Sequence, residues 1–337
     1  MKSKKINILI SIFILLTSFI NIYTIKTYGD EIEEIEYEVL DENYIDISSE
    51  FIDKTKYLKV NAKNAIAYDS ETKEVLWEQR GKEIVPIAST TKILTAIVAI
   101  NYGSLDEKVI ISKNASSIRG STVGYSAGEE ITIRELLFGL MFKSGNDAAI
   151  ALAESIGGSV ENFSNIMNDY SKSLGALDSH FESPHGLDST KHYSSAYDLA
   201  LFTTKGMESE VFREIVGEKI ISKDKYNFTR EYQNINKILY KIPEANGVKT
   251  GYTGQAGKCL VSSVNYEGRN IIIVVLNCFE RWNETERIFN YIKSFNNINK
   301  NKDLNLNEEN YINGLGYIIQ KEEIKYAYNG LDLVNIE

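Results

Sequence analysis

The chain returns to strand-forming sequence after a long helical interlude, and that return constrains its fold more than any other feature. Asn64 opens Ala65-Ile66-Ala67-Tyr68, a polar turn from Asp69 to Lys73, and Glu74-Val75-Leu76-Trp77-Glu78, the pattern of a β-hairpin. Residues 106 to about 240 then read as mainly helical. Thr132-Ile133-Arg134-Glu135 and Ser195-Ala196-Tyr197-Asp198 look like capping boxes, and Val160, Phe163, Ile166, Met167, Tyr170 and Leu174 recur at helical spacing. From Gly247 the period of two comes back in Val248 to Tyr252, Lys258 to Tyr266 and Asn270 to Leu276, with a turn at Glu267-Gly268 and a helix around Glu284 to Phe295. The expected arrangement has hairpin strands from both ends of the chain completing one antiparallel sheet. The expected class is α+β: an antiparallel sheet flanked by helices, plus a mainly helical lobe.

At 337 residues the chain has room for one domain of two lobes, and no internal repeat divides it. Its net charge of -10, with no basic cluster outside the first few residues, argues against a nucleic-acid partner. Lys2, Lys4 and Lys5 precede an apolar run from Ile6 to Ile25, which reads as an export signal over residues 1–29. Thr27 and Gly29 are small enough for cleavage, yet the run is about long enough to span a bilayer, so a cleaved signal and a retained anchor are both open. Either way the expected location is outside the cytoplasm, at the outer face of the membrane, in the wall or secreted. Residues 30–55 form an acidic linker, 56–296 the folded domain and 297–337 a short tail. Any membrane contact is expected only through an uncleaved N-terminus, because the last residues are too short and acidic for an anchor. Two cysteines, Cys259 and Cys278, do not make a disulfide scaffold. In the expected hairpin Cys259 faces Leu276 and Cys278 faces Gly257, diagonal neighbours too far apart for a good disulfide.

Three short motifs carry chemistry. Ser89-Thr90-Thr91-Lys92 follows Pro86 and precedes Ile93, Leu94, Ile97 and Val98, so a buried helix begins close to Ser89 and puts hydroxyl and amine on one face. A buried lysine near other cations sheds its proton readily and can then take one from the serine. Taken alone, Ser89 reads equally as a helix cap. Ser144-Gly145-Asn146 sits after the apolar segment Leu136 to Phe142, where Ser144 also suits a plain turn. Lys249-Thr250-Gly251 lies on an expected strand, where Lys249 could be a solvated charge.

Jointly and in this order, the three match the S-x-x-K, S-x-N and K-T-G set of penicillin-binding proteins and serine β-lactamases. With Pro184-His185-Gly186-Leu187-Asp188 and His192 to Asp198, the chain resembles the low-molecular-mass D-alanyl-D-alanine carboxypeptidases over roughly residues 60–295. The resemblance implies a β-lactamase/transpeptidase-like fold and removal of the terminal D-alanine from peptidoglycan stem peptides through an acyl-enzyme. β-Lactam antibiotics would act as inhibitors, and no cofactor or metal is implied. It makes Ser89 the nucleophile and Lys92 its base, with Ser144 and Lys249 returning the proton to the leaving D-alanine. Asn146 would hold the substrate amide, Lys249 and Thr250 the terminal carboxylate, and the N–H groups of Ser89 and of Tyr252, after Gly251, an oxyanion. Ser183 stands before Pro184 where the family usually has Asn.

The rival readings are a β-lactamase, a D,D-endopeptidase and a non-catalytic wall-binding module. A class A β-lactamase activates water with a separate Glu, and the segment after Glu182 lacks the Glu-x-x-Leu-Asn pattern. His180, His185 and His192 near Glu182 invite a metal reading, but without the tight pairing of catalytic metal sites.

Overall fold

The computed structural model describes residues 58–304. The expected export segment, the acidic linker and the tail beyond residue 304 lie outside the described residues. Among those described, no helix is long and apolar enough to cross a membrane.

The expected hairpin forms from β1 (Ala62–Asp69) and β2 (Val75–Gln79), and the late strands are β7 (Ala245–Thr253), β8 (Gly257–Tyr266) and β9 (Arg269–Cys278). They join in one antiparallel sheet of order β2-β1-β9-β8-β7. The long-range pair β1–β9 closes the chain on itself, matching Ala67 with Ile273. Glu267 and Gly268 both take positive φ, the conformation of a two-residue hairpin turn.

The uninterrupted apolar run Ile271 to Leu276 has a simple cause: β9 is central and both of its faces are covered. Ile271, Ile273 and Val275 pack with Ala65, Ala67 and Leu260 against Ile288 and Phe289 of helix α9 (Arg281–Leu304). Ile272, Val274 and Leu276 pack on the other side with Ile66 and with the helical lobe. Each fully buried aliphatic side chain contributes roughly 1.5–3 kcal/mol. The register Leu260↔Val275, carried one residue further, sets Cys259 opposite Leu276 as expected. Both thiols are free and buried, and burial pushes their pKa values up to about 11 and about 12.

The lobe contains α1 (Lys92–Tyr102), α2 (Lys113–Ser117), α3 (Ile133–Phe142), α4 (Asn146–Gly157), α5 (Val160–Ser173), α6 (Ala196–Glu208) and α7 (Glu210–Gly217), while Ile238 and Leu239 of the short α8 (Ile238–Lys241) pack on the α9 side of the sheet. Its helical reading is incomplete, because β3 (Lys108–Ile110) pairs with β4 (Glu130–Thr132), and β5 (Ile220–Ile221) with β6 (Tyr232–Gln233). Thr132 and Ser195 cap α3 and α6 as expected, accepting from Glu135 N and Asp198 N. Glu135 spends its carboxylate elsewhere, on Thr229 and on the Tyr232 hydroxyl at 2.8 Å, which ties α3 to the β6 segment. Helix α9 begins at Arg281 and continues to Leu304, beyond the expected boundary at 296.

Candidate active site

The site lies where the edge strand β7 meets the start of α1. A 3₁₀ turn, Ala88–Thr91, leads into that helix. Its hydroxyls tighten it: Thr90 Oγ1 donates to Ile87 O at 2.6 Å and Thr91 Oγ1 to Ala88 O at 2.8 Å. Ser89 does not cap the helix, for neither the turn nor α1 carries a side-chain cap. Its hydroxyl is therefore free for other work. Gly186, at φ +83, makes this packing possible, since a Cβ there would meet Ala88 O at 2.0 Å.

Lys92 is completely buried, and three oxygens surround its Nζ: Ser89 Oγ at 3.0 Å, Asn146 Oδ1 at 2.8 Å and His185 O at 2.8 Å. The last two can only accept. The orientation of the Asn146 amide is set by its Nδ2, which donates to Arg119 O at 2.6 Å. A neutral Lys92 thus gives two N–H groups to Asn146 and His185 and aims its lone pair at Ser89. Burial, then the Lys249 cation, hold the Lys92 pKa well below the ordinary amine value, with Asp147 opposing.

Ser144, 5% exposed, occupies a tight turn between α3 and α4 with φ +60, and Asn146 opens α4. The solvated reading of Lys249 is corrected: it is 1% exposed, its Nζ donates to Thr250 O at 2.9 Å, and burial with Arg281 lowers its pKa to about 7. Thr250 is also buried, whereas the Tyr252 ring is largely exposed. A Cβ on Gly251 would come within 3.1 Å of Ser89 N, so glycine lets strand and turn approach closely. The structure thus gathers Ser89, Lys92 and Asn146 through direct hydrogen bonds and sets Gly251 of the strand motif against Ser89.

Several supporting groups escaped the sequence reading. The Asp147 carboxylate accepts from Val123 N (3.0 Å), Gly124 N (2.8 Å) and Ala148 N (2.9 Å), fastening the 119–125 loop to the Ser144 turn. Arg281 Nη1 donates to Gly251 O at 2.7 Å and Cys259 O at 2.9 Å, bracing the end of β7 against β8. The histidines buttress rather than cluster. His192 accepts from Glu182 N on Nδ1 (3.2 Å) and meets Thr91 Oγ1 with Nε2 (2.8 Å), while His185 accepts from Leu187 N on Nδ1 (3.1 Å). Burial lowers their pKa values to about 4 and about 3, keeping both rings neutral at physiological pH. Ser183 Oγ accepts from Gly186 N at 3.3 Å, which gives that hydroxyl a place in the turn.

This sheet, this lobe and a half-buried serine hydrogen-bonded to a buried lysine define the β-lactamase/transpeptidase-like class. Solved structures agree: the chain is 30% identical to the DD-transpeptidase of Streptomyces K15, with TM-score 0.66, covering 70% of this chain and 98% of that one. It is 29% identical to the D-alanyl-D-alanine carboxypeptidase DacD of Francisella tularensis, with TM-score 0.64 and coverage of 70% and 71%. Residues 51–280 match the family model described as D-alanyl-D-alanine carboxypeptidase, and the chain belongs to that family. Among curated relatives, D-alanyl-D-alanine carboxypeptidase DacF of Bacillus subtilis is 36% identical over 231 residues, 66% of this chain and 59% of that protein. DacC of Escherichia coli is 33% identical over 249 residues, 69% of this chain and 61% of that protein. The chain therefore spans about three-fifths of the length of these two relatives.

Proposed function

We propose that the protein is a serine D-alanyl-D-alanine carboxypeptidase acting on peptidoglycan stem peptides. The observation that carries this reading is the Lys92 amine, buried, short of its usual basicity and 3.0 Å from Ser89 Oγ. Ser89 Oγ attacks the carbonyl of the penultimate D-alanine as Lys92 takes its proton. The C–N bond breaks, the departing amine collects a proton through Ser144 and Lys249, and water then cleaves the ester. Asn146 keeps a second N–H for the substrate, Lys249 and Thr250 receive the terminal carboxylate, and the N–H groups of Ser89 and Tyr252 stabilise the oxyanion. Incubation with a D-Ala-D-Ala peptide should release free D-alanine, and incubation with benzylpenicillin should add its mass to Ser89. Neither product appearing would refute the assignment.

A pH profile tests the two lysines separately. Lys92 must be neutral to act as base, so the rate should climb as pH rises through its lowered pKa. Lys249 must be charged to hold a carboxylate, so kcat/KM should fall again above about 7. Bound carboxylate favours the ammonium form, so the alkaline limb of kcat should lie at higher pH. A kcat/KM that rises without a break to strongly alkaline pH would remove Lys249 as the clamp.

Export is part of the same proposal, supported by the lysine-flanked apolar run in residues 1–29 and by a substrate found only in the wall. Cell fractionation should place the protein outside the cytoplasm. Full-length chain in the cytosol with its first residues intact would contradict it.

A further inference from the structure

One face of the lobe inverts the usual hydrophobic pattern. In Gln233-Asn234-Ile235-Asn236-Lys237 the asparagines are buried, at 5% and 2% exposure, and Ile235 between them is 46% exposed. The burial is built. Asn234 Oδ1 accepts from Asn236 N at 2.9 Å, and Asn236 Oδ1 from Ile238 N at 3.3 Å. Two buried amides thereby hold an isoleucine in solvent, although burying it would be favourable.

Ile235 has company. Gln233 pairs with Ile220, while the neighbouring pair Ile221 and Tyr232 is buried, so Ile220 and Gln233 face outward with Ile235 two residues on. Ile220 and Tyr240 are each 54% exposed, and Lys219 Nζ, next in the chain to Ile220, lies 5.0 Å from the Tyr240 ring centroid. The charge here is opposite to that of the whole chain: residues 219–241 hold six Lys or Arg against two acids, in a protein of net charge -10. Lys225, Arg230 and Lys241 are paired with acids. Exposed Lys219, Lys223 and Lys237 have no acidic partner among the described residues.

We infer that this face docks on the surface of an anionic lipid bilayer. Three apolar points are too few for a stable protein interface, which needs on the order of 1,000 Å². They suit shallow insertion at the headgroup level, with tyrosine at the interface and lysines meeting lipid phosphates. The contact is made by the folded domain and is separate from any anchoring by the N-terminal run.

The test uses the full chain carrying Ile235→Cys labelled with a polarity-sensitive fluorophore, which is selective because both native cysteines are buried. A second protein carries the label through Ile110→Cys, at a position 67% exposed on β3. Vesicles containing phosphatidylglycerol should shift the emission of the Ile235 label to the blue and leave the Ile110 label unchanged. Added salt, or the combined Lys219→Glu, Lys223→Glu and Lys237→Glu changes, should reduce the shift by more than about half. Penicillin labelling of Ser89 checks the fold of that variant, and Lys237→Glu alone replaces it if labelling is lost. Equal shifts at both positions, equal shifts with pure phosphatidylcholine, or an equal response to soluble poly(glycerol phosphate) would each overturn the inference.

Discussion

Ser89→Ala is expected to abolish both D-alanine release and penicillin labelling, by at least about 10³-fold, while the protein stays folded. The factor corresponds to about 4 kcal/mol of barrier, a modest expectation for losing the atom that forms the covalent bond. The fold should survive because Ser89 Oγ caps no helix and, among the described residues, hydrogen-bonds only to Lys92 Nζ. The turn keeps its shape through the Thr90 and Thr91 hydroxyls, and Lys92 keeps two of its three oxygen partners. Lys92→Arg should be nearly as damaging, since a guanidinium cannot give up its proton at any working pH. The measurements are intact mass after benzylpenicillin and D-alanine release, with circular dichroism as the control. Full labelling of Ser89→Ala would move the nucleophile elsewhere.

What could be read in advance follows from which groups carry a sequence signature. Candidate side chains were legible because Ser89, Lys92, Ser144, Asn146 and Lys249 stand in recognisable short motifs, and the structure joins Ser89, Lys92 and Asn146 by hydrogen bonds. The sheet was legible because Ile271 to Leu276 admits few other readings. Backbone acceptors were not legible, and one of the three oxygens around Lys92 Nζ is backbone, as is the oxygen that orients Asn146. His185 contributes its carbonyl and Arg119 orients Asn146 through another, so neither residue type matters to the contact. Glu135 fits the spacing of a capping box, yet Thr229 and Tyr232, 94 and 97 residues away, win its carboxylate. The small sheets were missed because two or three residues give no period to count. The burial of Lys249 on β7 also depends on tertiary packing, since an isolated strand with a lysine reads as solvated.

The fate of the acyl-enzyme separates this reading from its nearest rival. After D-Ala-D-Ala is attacked, D-alanine diffuses away and water can approach the ester, activated by Lys92 and Ser144 acting in reverse. After penicillin is attacked, the leaving group stays tethered and blocks that approach. A β-lactamase escapes the block with a carboxylate that activates water independently. Here Glu182 accepts from the Ser189 hydroxyl, and among the described residues no carboxylate hydrogen-bonds to Ser89, Lys92 or Ser144. The penicilloyl ester should therefore outlive the peptidyl ester by several thousandfold, which requires a barrier higher by about 5 kcal/mol. The comparison is the lifetime of the penicilloyl adduct on Ser89, followed by intact mass, against turnover of a D-Ala-D-Ala peptide. Rapid, repeated destruction of penicillin with no action on the peptide would make the protein a β-lactamase. Preference for a cross-linked dimer over a free pentapeptide would instead make it an endopeptidase using the same serine.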